Sequence, residues 1–564
     1  MAPRPVGIRA SSHCSASRSP MKTFDGMELA TRNADPALAR EIRRRRTFAI
    51  ISHPDAGKTT LTEKLLLYGG AIDIAGSVRS RKTQRHATSD WMAIERSRGI
   101  SVTSTVMQFE YEGYCLNLLD TPGHQDFSED TYRTLYACDS AVMVLDAAKG
   151  IEPQTRKLFQ TCRLRGIPII AFINKLDHPG KDPLALLQEI EEELGVATVP
   201  MNWPIGSGPI FQGVLELKSR RVFKFERSEG GASPAPVSVA GLDDPLLADL
   251  IGPEARAELR DSVELLEVAG VSFDRPRFLS GDLIPVYFGS ALNNFGVEPF
   301  LNALLELAPS PAPRATAGGD VSPDEPEFTG FVFKIQANLD PRHRDRLAFL
   351  RVCSGRFEKD MEVLHVRLGR KIRMTRPHRL FARDRETVLS AFPGDVIGFV
   401  NPGLFRIGDT VSQHGSIEFD SIPRFPPEHF GVLRATDTGK QKQFHKGIQQ
   451  LEEEGLIQLF YPEEGRRSEP IIGVIGELQF DLLRSRLETE YGAVTTLVGL
   501  PYRFARWVSP AAAAKGNLRE PGQSRLMMDA HGLPVMLFAA SWELEMCEKE
   551  VPAGTFSIAA LAPH

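Results

Sequence analysis

One loop constrains this chain more than any other feature. Residues 48–51 are a short apolar strand, residues 60–68 follow a helical pattern stopped by Gly69-Gly70, and a polar, glycine-containing loop lies between. That loop is Ser52, His53, Pro54, Asp55, Ala56, Gly57, Lys58, Thr59 and Thr60. A strand that feeds such a loop into a helix N-terminus makes a phosphate cradle. Backbone N–H groups converge there and the helix dipole favours negative charge. Lys58 adds a point charge for β- and γ-phosphates, and the Thr59 hydroxyl can ligate Mg²⁺. The usual first glycine is here Ser52, and the loop alone equally admits an ATPase. The geometry requires an ordered strand behind the loop and a helix ahead of it, which points to an α/β domain.

The sequence continues in that rhythm. Strands are expected over 102–111, 114–119, 141–145 and 168–173, with helices over 153–165 and 183–194, the latter ending at Gly195. A first helix starts at Asp35-Pro36, a capping side chain followed by proline at N1. Alternation of this kind gives a mostly parallel sheet covered by helices. Residues 196–280 break the pattern and read as an insertion. The sheet resumes at 285–288 and closes with a helix near residue 308, so the first domain spans 35–308. Residues 309–327, rich in Pro, Ala, Gly and Asp, read as a linker. Residues 328–417 are strand-rich and punctuated by Gly and Pro, as in a small β-barrel. Residues 418–564 mix helices and strands, an α+β domain. No internal repeat is visible. The first 34 residues read as a disordered extension. Its first twenty carry Arg4, Arg9 and Arg18 and no acidic residue. They fit either a start assigned too far upstream of Met21 or Met27, which we favour, or a transit peptide.

Three further segments sit where strands end. Asp120-Thr121-Pro122-Gly123-His124 follows the 114–119 strand: the carboxylate can hold Mg²⁺ through water, and the Gly123 N–H can approach a γ-phosphate. Asp-Pro-Gly turns are common in any fold, so the phosphate loop upstream gives this one its meaning. Asn174-Lys175-Leu176-Asp177 follows the 168–173 strand. Asp177 can accept both N1–H and N2–H of guanine, an arrangement adenine does not offer, and Lys175 can lie along the base. Ser290-Ala291-Leu292 can supply a backbone N–H to guanine O6. Each segment is weak alone; the ordered set, at successive strand ends, specifies GTP rather than ATP. Between loop and turn, Ile100 and Ser101 close an Arg-Gly-Ile-Ser segment, and Ser101 can complete the Mg²⁺ shell when GTP is bound. His124 is the candidate for orienting the attacking water, as neutral imidazole or as imidazolium.

Composition narrows the alternatives. The 564 residues are 42% hydrophobic and 25% charged with a formal net charge of −5, so the chain is not a generally cationic protein. No uncharged apolar run reaches membrane-spanning length. The six cysteines are scattered without CxxC spacing, which suggests neither zinc nor disulfides and fits a reducing cytoplasm. The charge run 43–46 reads as a solvated face. The basic stretches 342–346 and 370–383, with Lys440, Lys442 and Lys446, are either ordinary solvated faces or phosphate-binding patches.

Taken together, the histidine after Asp-Thr-Pro-Gly and the Arg-Gly-Ile-Ser segment make the chain resemble the translational GTPases, the family of elongation factors G and Tu. Asp90-Trp91-Met92, the run from Asp126 to Thr134, Asn202-Trp203-Pro204-Ile205-Gly206 and Gly476-Glu477-Leu478-Gln479-Phe480 resemble its release-factor branch. The resemblance covers about residue 39 onward. Ser101 in place of threonine, Ser52 and Pro54 depart from the wider family and agree with that branch. The resemblance implies an α/β P-loop GTPase domain with an inserted subdomain, then a β-barrel of the elongation factor Tu domain 2 type and an α+β domain. It implies Mg²⁺-dependent hydrolysis of GTP to GDP on the ribosome, triggered near the sarcin–ricin loop. It further implies ribosomal RNA, ribosomal proteins and stop-codon-decoding release factors as partners, with no role for membrane or DNA, and a monomer. The role implied is to drive decoding factors off the ribosome after peptide release. Pro54 and Ile100 would together fence the water from His124. A translocase-like or ribosome-rescue GTPase is the nearest alternative; the short region after the barrel argues against it. A nucleotide-gated binding module without hydrolysis is a third reading, against which Lys58, Thr59, Asp120 and His124 count.

Overall fold

The first domain is built outward from strands that have no solvent face. In the computed structural model it runs α1 (Pro36–Arg43), β1 (Arg45–Ser52), α2 (Lys58–Tyr68), β2 (Thr105–Tyr111), β3 (Tyr114–Asp120), α3 (Ser128–Tyr136), β4 (Ser140–Asp146), α4 (Pro153–Leu164), β5 (Ile169–Asn174), α5 (Pro183–Leu194) and β6 (Ala197–Pro200). The structure describes residues 35–70, 101–225, 237–239, 242, 244–270, 272–337, 346–381, 384–413, 415, 417–420, 422–462, 469–513, 518–552 and 554–558. β1, β4 and β5 are buried at every position, as parallel strands covered on both faces must be. Burial also explains α2, whose Leu61, Leu65 and Leu66 are wholly enclosed and which shows no strong polar face. α5 is set by its ends. Asp182 caps the N–H groups of Leu184 and Ala185, Pro183 sits at N1, and Gly195 closes the helix at φ 64°.

An inserted unit follows: β7 (Asn202–Ile205), β8 (Gly213–Glu216), β9 (Arg221–Lys224) and β10 (Val237–Val239) form an antiparallel sheet beside α6 (Pro245–Ile251) and α7 (Pro253–Ala269). The chain then returns through α8 (Arg275–Leu279), β11 (Leu283–Phe288) and α9 (Val297–Leu307). The main sheet has the order β2-β3-β1-β4-β5-β11-β6, antiparallel at β2–β3 and parallel elsewhere. β6 thus belongs to the main sheet, although the sequence reading puts it inside the insertion. Its buried Thr198 and Val199 cover the β11 edge, and the chain departs only after Pro200.

The stretch 309–327, read as a linker, contains a hairpin, β12 (Arg314–Thr316) with β13 (Gly319–Val321). Arg314 pins it to the end of α3 by donating to the carbonyls of Tyr136 and Cys138. The charge run 43–46 is a solvated face only in its first half, where Arg43 is exposed and Arg44 half-buried. Arg45 and Arg46 are 5% and 8% exposed: Arg45 pairs with Asp395 at 2.8 Å, and Arg46 donates to the Leu305 carbonyl at 2.9 Å. A planar guanidinium with fixed donors suits buried polar surfaces that lysine serves poorly.

The second domain is antiparallel and barrel-like, led by β14 (Thr329–Ala337) and β15 (Arg346–Ser354) around Phe328, Val332, Leu350, Phe357 and Phe399. It touches the main sheet directly where Phe381 pairs with Met107 of β2. The third domain is an eight-stranded sheet with α10 (Gln441–Glu453) and α11 (Leu478–Tyr491) packed on it through Ile448, Leu451, Leu483 and Leu487. The cysteines Cys115, Cys138, Cys162, Cys353 and Cys547 are buried and unlinked. Among the described residues no helix is long and apolar enough to cross a membrane.

Candidate active site

Three segments meet at the carboxyl ends of β1, β3 and β5. The loop after β1 turns through left-handed backbone at Asp55 (φ 66°) and Gly57 (φ 94°), and α2 begins at Lys58. A Cβ on Gly57 would stand 2.2 Å from Asn174 Nδ2, so both its backbone angle and its neighbour demand glycine. Thr59 and Thr60 follow in the first turn of α2, half-buried. Ser52 closes β1 and donates its hydroxyl to the His53 carbonyl at 2.9 Å.

Asn174 braces the site. Its Nδ2 donates to the Ala56 carbonyl and its Oδ1 accepts the Ala291 N–H, both at 2.8 Å. One buried side chain therefore ties the phosphate loop to the 290–292 segment, in which Ser290 and Ala291 are buried and Leu292 is half-buried. Lys175 takes a left-handed conformation (φ 68°), and its Nζ lies 2.8 Å from Asp146 Oδ2. Burial would raise the Asp146 carboxyl, but the Lys175 hydrogen bond and the N–H groups of Ala148 and Lys149 outweigh it and hold the group below its ordinary value. Asp177 is enclosed: Oδ2 lies 3.0 Å from His178 Nδ1, while Oδ1 is buried without a hydrogen-bond partner. A buried carboxylate oxygen with unused acceptor capacity fits a ligand bearing N–H donors, as guanine does.

At the other end, Lys58 Nζ stands 2.6 Å from Asp120 Oδ1, with Thr62 Oγ1 at 3.4 Å. Thr121 donates to the Ile50 carbonyl at 2.7 Å. A Cβ on Gly123 would lie 3.6 Å from Pro54 N, so the turn after β3 packs edge-on against the loop. His124 Nδ1 accepts the Asp126 N–H at 3.2 Å, and Asp126 Oδ1 is also 3.2 Å from that nitrogen. Ser101 is half-buried, and Val102 beside it packs on Phe127, three residues past His124. Ile100 lies outside the described residues.

His53 is 1% exposed, with Nε2 3.1 Å from Glu152 Oε2 but off the hydrogen-bond line. Burial pushes its pKa below the ordinary value against the pull of Glu152. The loop's positive charge is therefore that of Lys58 and the helix dipole, not of His53. The hydroxyls of Thr59 and Ser101 and the Asp120 carboxylate are hard oxygen donors, the class Mg²⁺ prefers. No cluster of three or more His, Cys, Asp or Glu able to cage a metal exists among the described residues.

Sequence reasoning overlooked Asp146, Thr62, Glu152 and the role of Asp126. For Asp146 there was a signal: it ends β4 in register with Asn174 on β5. Thr62, four residues after Lys58 on α2, shares its helix face; Glu152 and Asp126 are set by loop paths that no spacing announces.

Comparison with known proteins bears on this geometry. The model for the elongation factor Tu GTP binding domain matches residues 43–310, that for elongation factor G domain 2 matches 327–414, and that for the class II release factor RF3 C-terminal domain matches 419–548. Peptide chain release factor 3 of Symbiobacterium thermophilum is 54% identical over 531 residues, 93% of this chain and 99% of the relative. The protein of the same name from Gloeobacter violaceus is 54% identical over 520 residues, 92% and 98% of the two chains. A crystal structure from Thermus thermophilus superposes with a TM-score of 0.65 at 23% identity, covering 86% of this chain and 72% of that one, a likeness of fold. The chain belongs to the peptide chain release factor 3 family.

Proposed function

We propose that this chain is a ribosome-stimulated GTP hydrolase of translation termination, which uses GTP to drive stop-codon-decoding release factors off the ribosome after peptide release. Its GTPase domain and its membership of the family support the hydrolase; likeness to the named relatives along nearly their whole length supports the place in termination. The observation that carries the nucleotide half is the Asn174 brace. It holds the phosphate loop and the base-facing 290–292 segment at one spacing, 2.8 Å to each.

In this reading the N–H groups of Asp55, Ala56, Gly57, Lys58, Thr59 and Thr60 receive the phosphates, along the loop Ser52, His53 and Pro54 lead into. Lys58 must leave Asp120 to reach them, so phosphate replaces carboxylate as its partner. Asp120 is thereby released towards Mg²⁺, which Thr59, Ser101 and Asp120 would hold and which neutralises charge on the phosphates. The Asp177 carboxylate receives guanine N1–H and N2–H bidentately, with the unpartnered Oδ1 taking one of them and Oδ2, now beside His178, the other. Because the Ala291 N–H is engaged by Asn174, the donor to guanine O6 moves to its neighbour Leu292. Gly123 senses the γ-phosphate, and His124 orients water for in-line attack, with Nδ1 as acceptor and Nε2–H turned to the water. Pro54, packed beside Gly123, limits the water's approach. GTP and water become GDP and phosphate. A cytoplasmic monomer meeting ribosomal RNA near the sarcin–ricin loop completes the proposal.

The direct test supplies post-release ribosomes carrying a decoding factor and times its departure on addition of this protein and GTP. Acceleration is expected; stimulated translocation without it would point to the translocase reading instead. His124→Ala should lower ribosome-stimulated turnover by roughly 10²-fold or more while GTP binding survives, on the scale of losing one transition-state contact. Asp177→Asn should shift preference towards xanthine nucleotides. Retained guanine selectivity in a nucleotide-competition assay would remove Asp177 from base reading.

A further inference from the structure

The segment that carries His124 is held from the opposite end of the chain. Asp126 Oδ2 accepts the N–H of Leu478, the first residue of α11, at 2.9 Å across 352 residues of sequence. Its other oxygen and its own N–H both face His124 Nδ1 at 3.2 Å. Asp126 is therefore one side chain shared between the histidine and the third domain. The approach is close enough to dictate a residue: a Cβ on Gly476 would fall 2.0 Å from Asp126 Cγ. Gln479 fixes the loop in that position, since its Oε1 accepts the N–H groups of Ile475 and Gly476 and its Nε2 donates to the Leu456 carbonyl.

The neighbouring contacts converge on the same place. Phe127 is buried against Val102 and Leu482, with Leu456 and Leu478 around them. Residues next to both Ser101 and His124 thus rest on α11. Burying the Phe127 ring favours the closed seam, by a contact small enough to be overcome by a partner the size of a ribosome.

We infer that Asp126 is a positioning residue that sets the His124 ring for hydrolysis when α11 is docked, so that the third domain controls the hydrolysis rate from across the molecule. The inference rests on the reading of His124 as the water-orienting group. With both its N–H and a carboxylate oxygen at Nδ1, Asp126 can hold the ring's orientation whether Nδ1 accepts or donates. Without Leu478, Asp126 loses the hydrogen bond that holds Oδ2, and the short turn Gln125–Phe127 keeps only the Phe127 contact. A displacement of about 1 Å at such a ring can cost on the order of 10²-fold in rate.

The experiment uses the full chain with purified ribosomes and measures kcat, KM and GTP affinity, together with amide exchange over 478–483. Gly476→Ala forces Asp126 aside, and Gln479→Ala releases Ile475 and Gly476 without added bulk. Both should lower kcat by about ten-fold or more, leave GTP affinity within about two-fold, and speed exchange at 478–483. Asp126→Asn, which keeps an acceptor for Leu478 N–H, should retain most of the rate that Asp126→Ala loses. In a His124→Ala background Gly476→Ala should add nothing, because its effect runs through the ring. Faster exchange with unchanged kcat in Gly476→Ala and Gln479→Ala would overturn the proposal, as would a full additional loss in the double variant. Normal turnover in His124→Ala alone would instead mark failure of the underlying reading of His124.

Discussion

The GTPase domain meets the barrel through buried arginine–aspartate pairs; it meets the third domain through single hydrogen bonds, close glycine approaches and the Phe127 contact. Arg351 of β15 is 1% exposed and pairs with Asp139 at 2.6 Å, while donating to the carbonyls of Ala137 and Gly394. Arg45 makes the second such contact with Asp395, whose same oxygen accepts from Gln108 of β2 at 2.8 Å. On the other side, Arg133 reaches the Gly455 carbonyl at 3.2 Å, and Asp126 reaches one N–H of α11. Buried ion pairs add little net stability compared with apolar replacements, but breaking one leaves a charge stranded. The first seam is therefore costly to open and exact in register. The second is held by small terms that a large partner can outbid. A domain that must respond to nucleotide state gains from having one neighbour fixed and the other releasable.

The sharpest way to break this contrast is Arg351→Ala. It leaves Asp139 with only its longer contacts to Arg314 at 3.3 Å and Ala312 N–H at 3.4 Å and takes a donor from the Ala137 and Gly394 carbonyls, and should cost about 3 kcal/mol in urea unfolding of the GTPase–barrel unit. A loss below about 1 kcal/mol for the single change would erase the distinction between the seams.

Acid probes the point where the seams meet. Asp130 Oδ2 accepts from Ser104 N at 2.6 Å, Ser104 Oγ at 2.5 Å and Lys334 Nζ at 3.2 Å. Burial would raise this carboxyl, but Lys334, Arg133 and Ser104 hold it below its ordinary value of 3.8. Burial lowers the Lys334 ammonium as well; the carboxylate, with three donors on one oxygen, decides how the pair responds to acid. A folded pKa lower than the unfolded one contributes stability that is present above 3.8 and lost as pH falls through the folded value. The stability gap between the native chain and Asp130→Asn should be complete at neutral pH and close only below about pH 4. A gap that instead closes between pH 5 and 8 would assign the effect to a different group.

Gly455→Ala should have the smallest effect. Gly455 is left-handed (φ 74°), and an added Cβ would lie 1.8 Å from Arg133 Nη1, the movable end of a long side chain. We expect about 1 kcal/mol of backbone strain, with a larger change in amide exchange at the α11 seam than in global unfolding. Equal changes in both would mean that the third domain is not separately releasable.

How much of this was legible beforehand follows from how local each feature is. The phosphate loop, the turn at Asp120, the Asn174–Asp177 corner and the 290–292 segment each lie within a few residues of a strand end, so the chain's own rhythm placed them. Asn174 as a brace was not legible, because its two partners come from loops 118 and 117 residues away. The second half of the charge run 43–46 was misread for the same reason: Asp395, the buried partner of Arg45, is 350 residues further on. The linker hairpin escaped because its composition is that of coil, and Arg314 stabilises it only by reaching another element.

The sequence alone determined a GTP-type phosphate and base site, because backbone direction at a strand end and the donor pattern of a purine are local chemistry. It determined three consecutive structural regimes, because hydrophobic period and Gly–Pro punctuation report the class of each segment. Only the tertiary structure decided what surrounds that site. Lys58 lies against Asp120, Asp177 keeps a buried oxygen with no hydrogen-bond partner, and Asp126 joins His124 to Leu478. Those relations depend on which surfaces the packed domains bring within about 3 Å of one another. Residues separated by hundreds of positions carry no periodic signal of such a meeting.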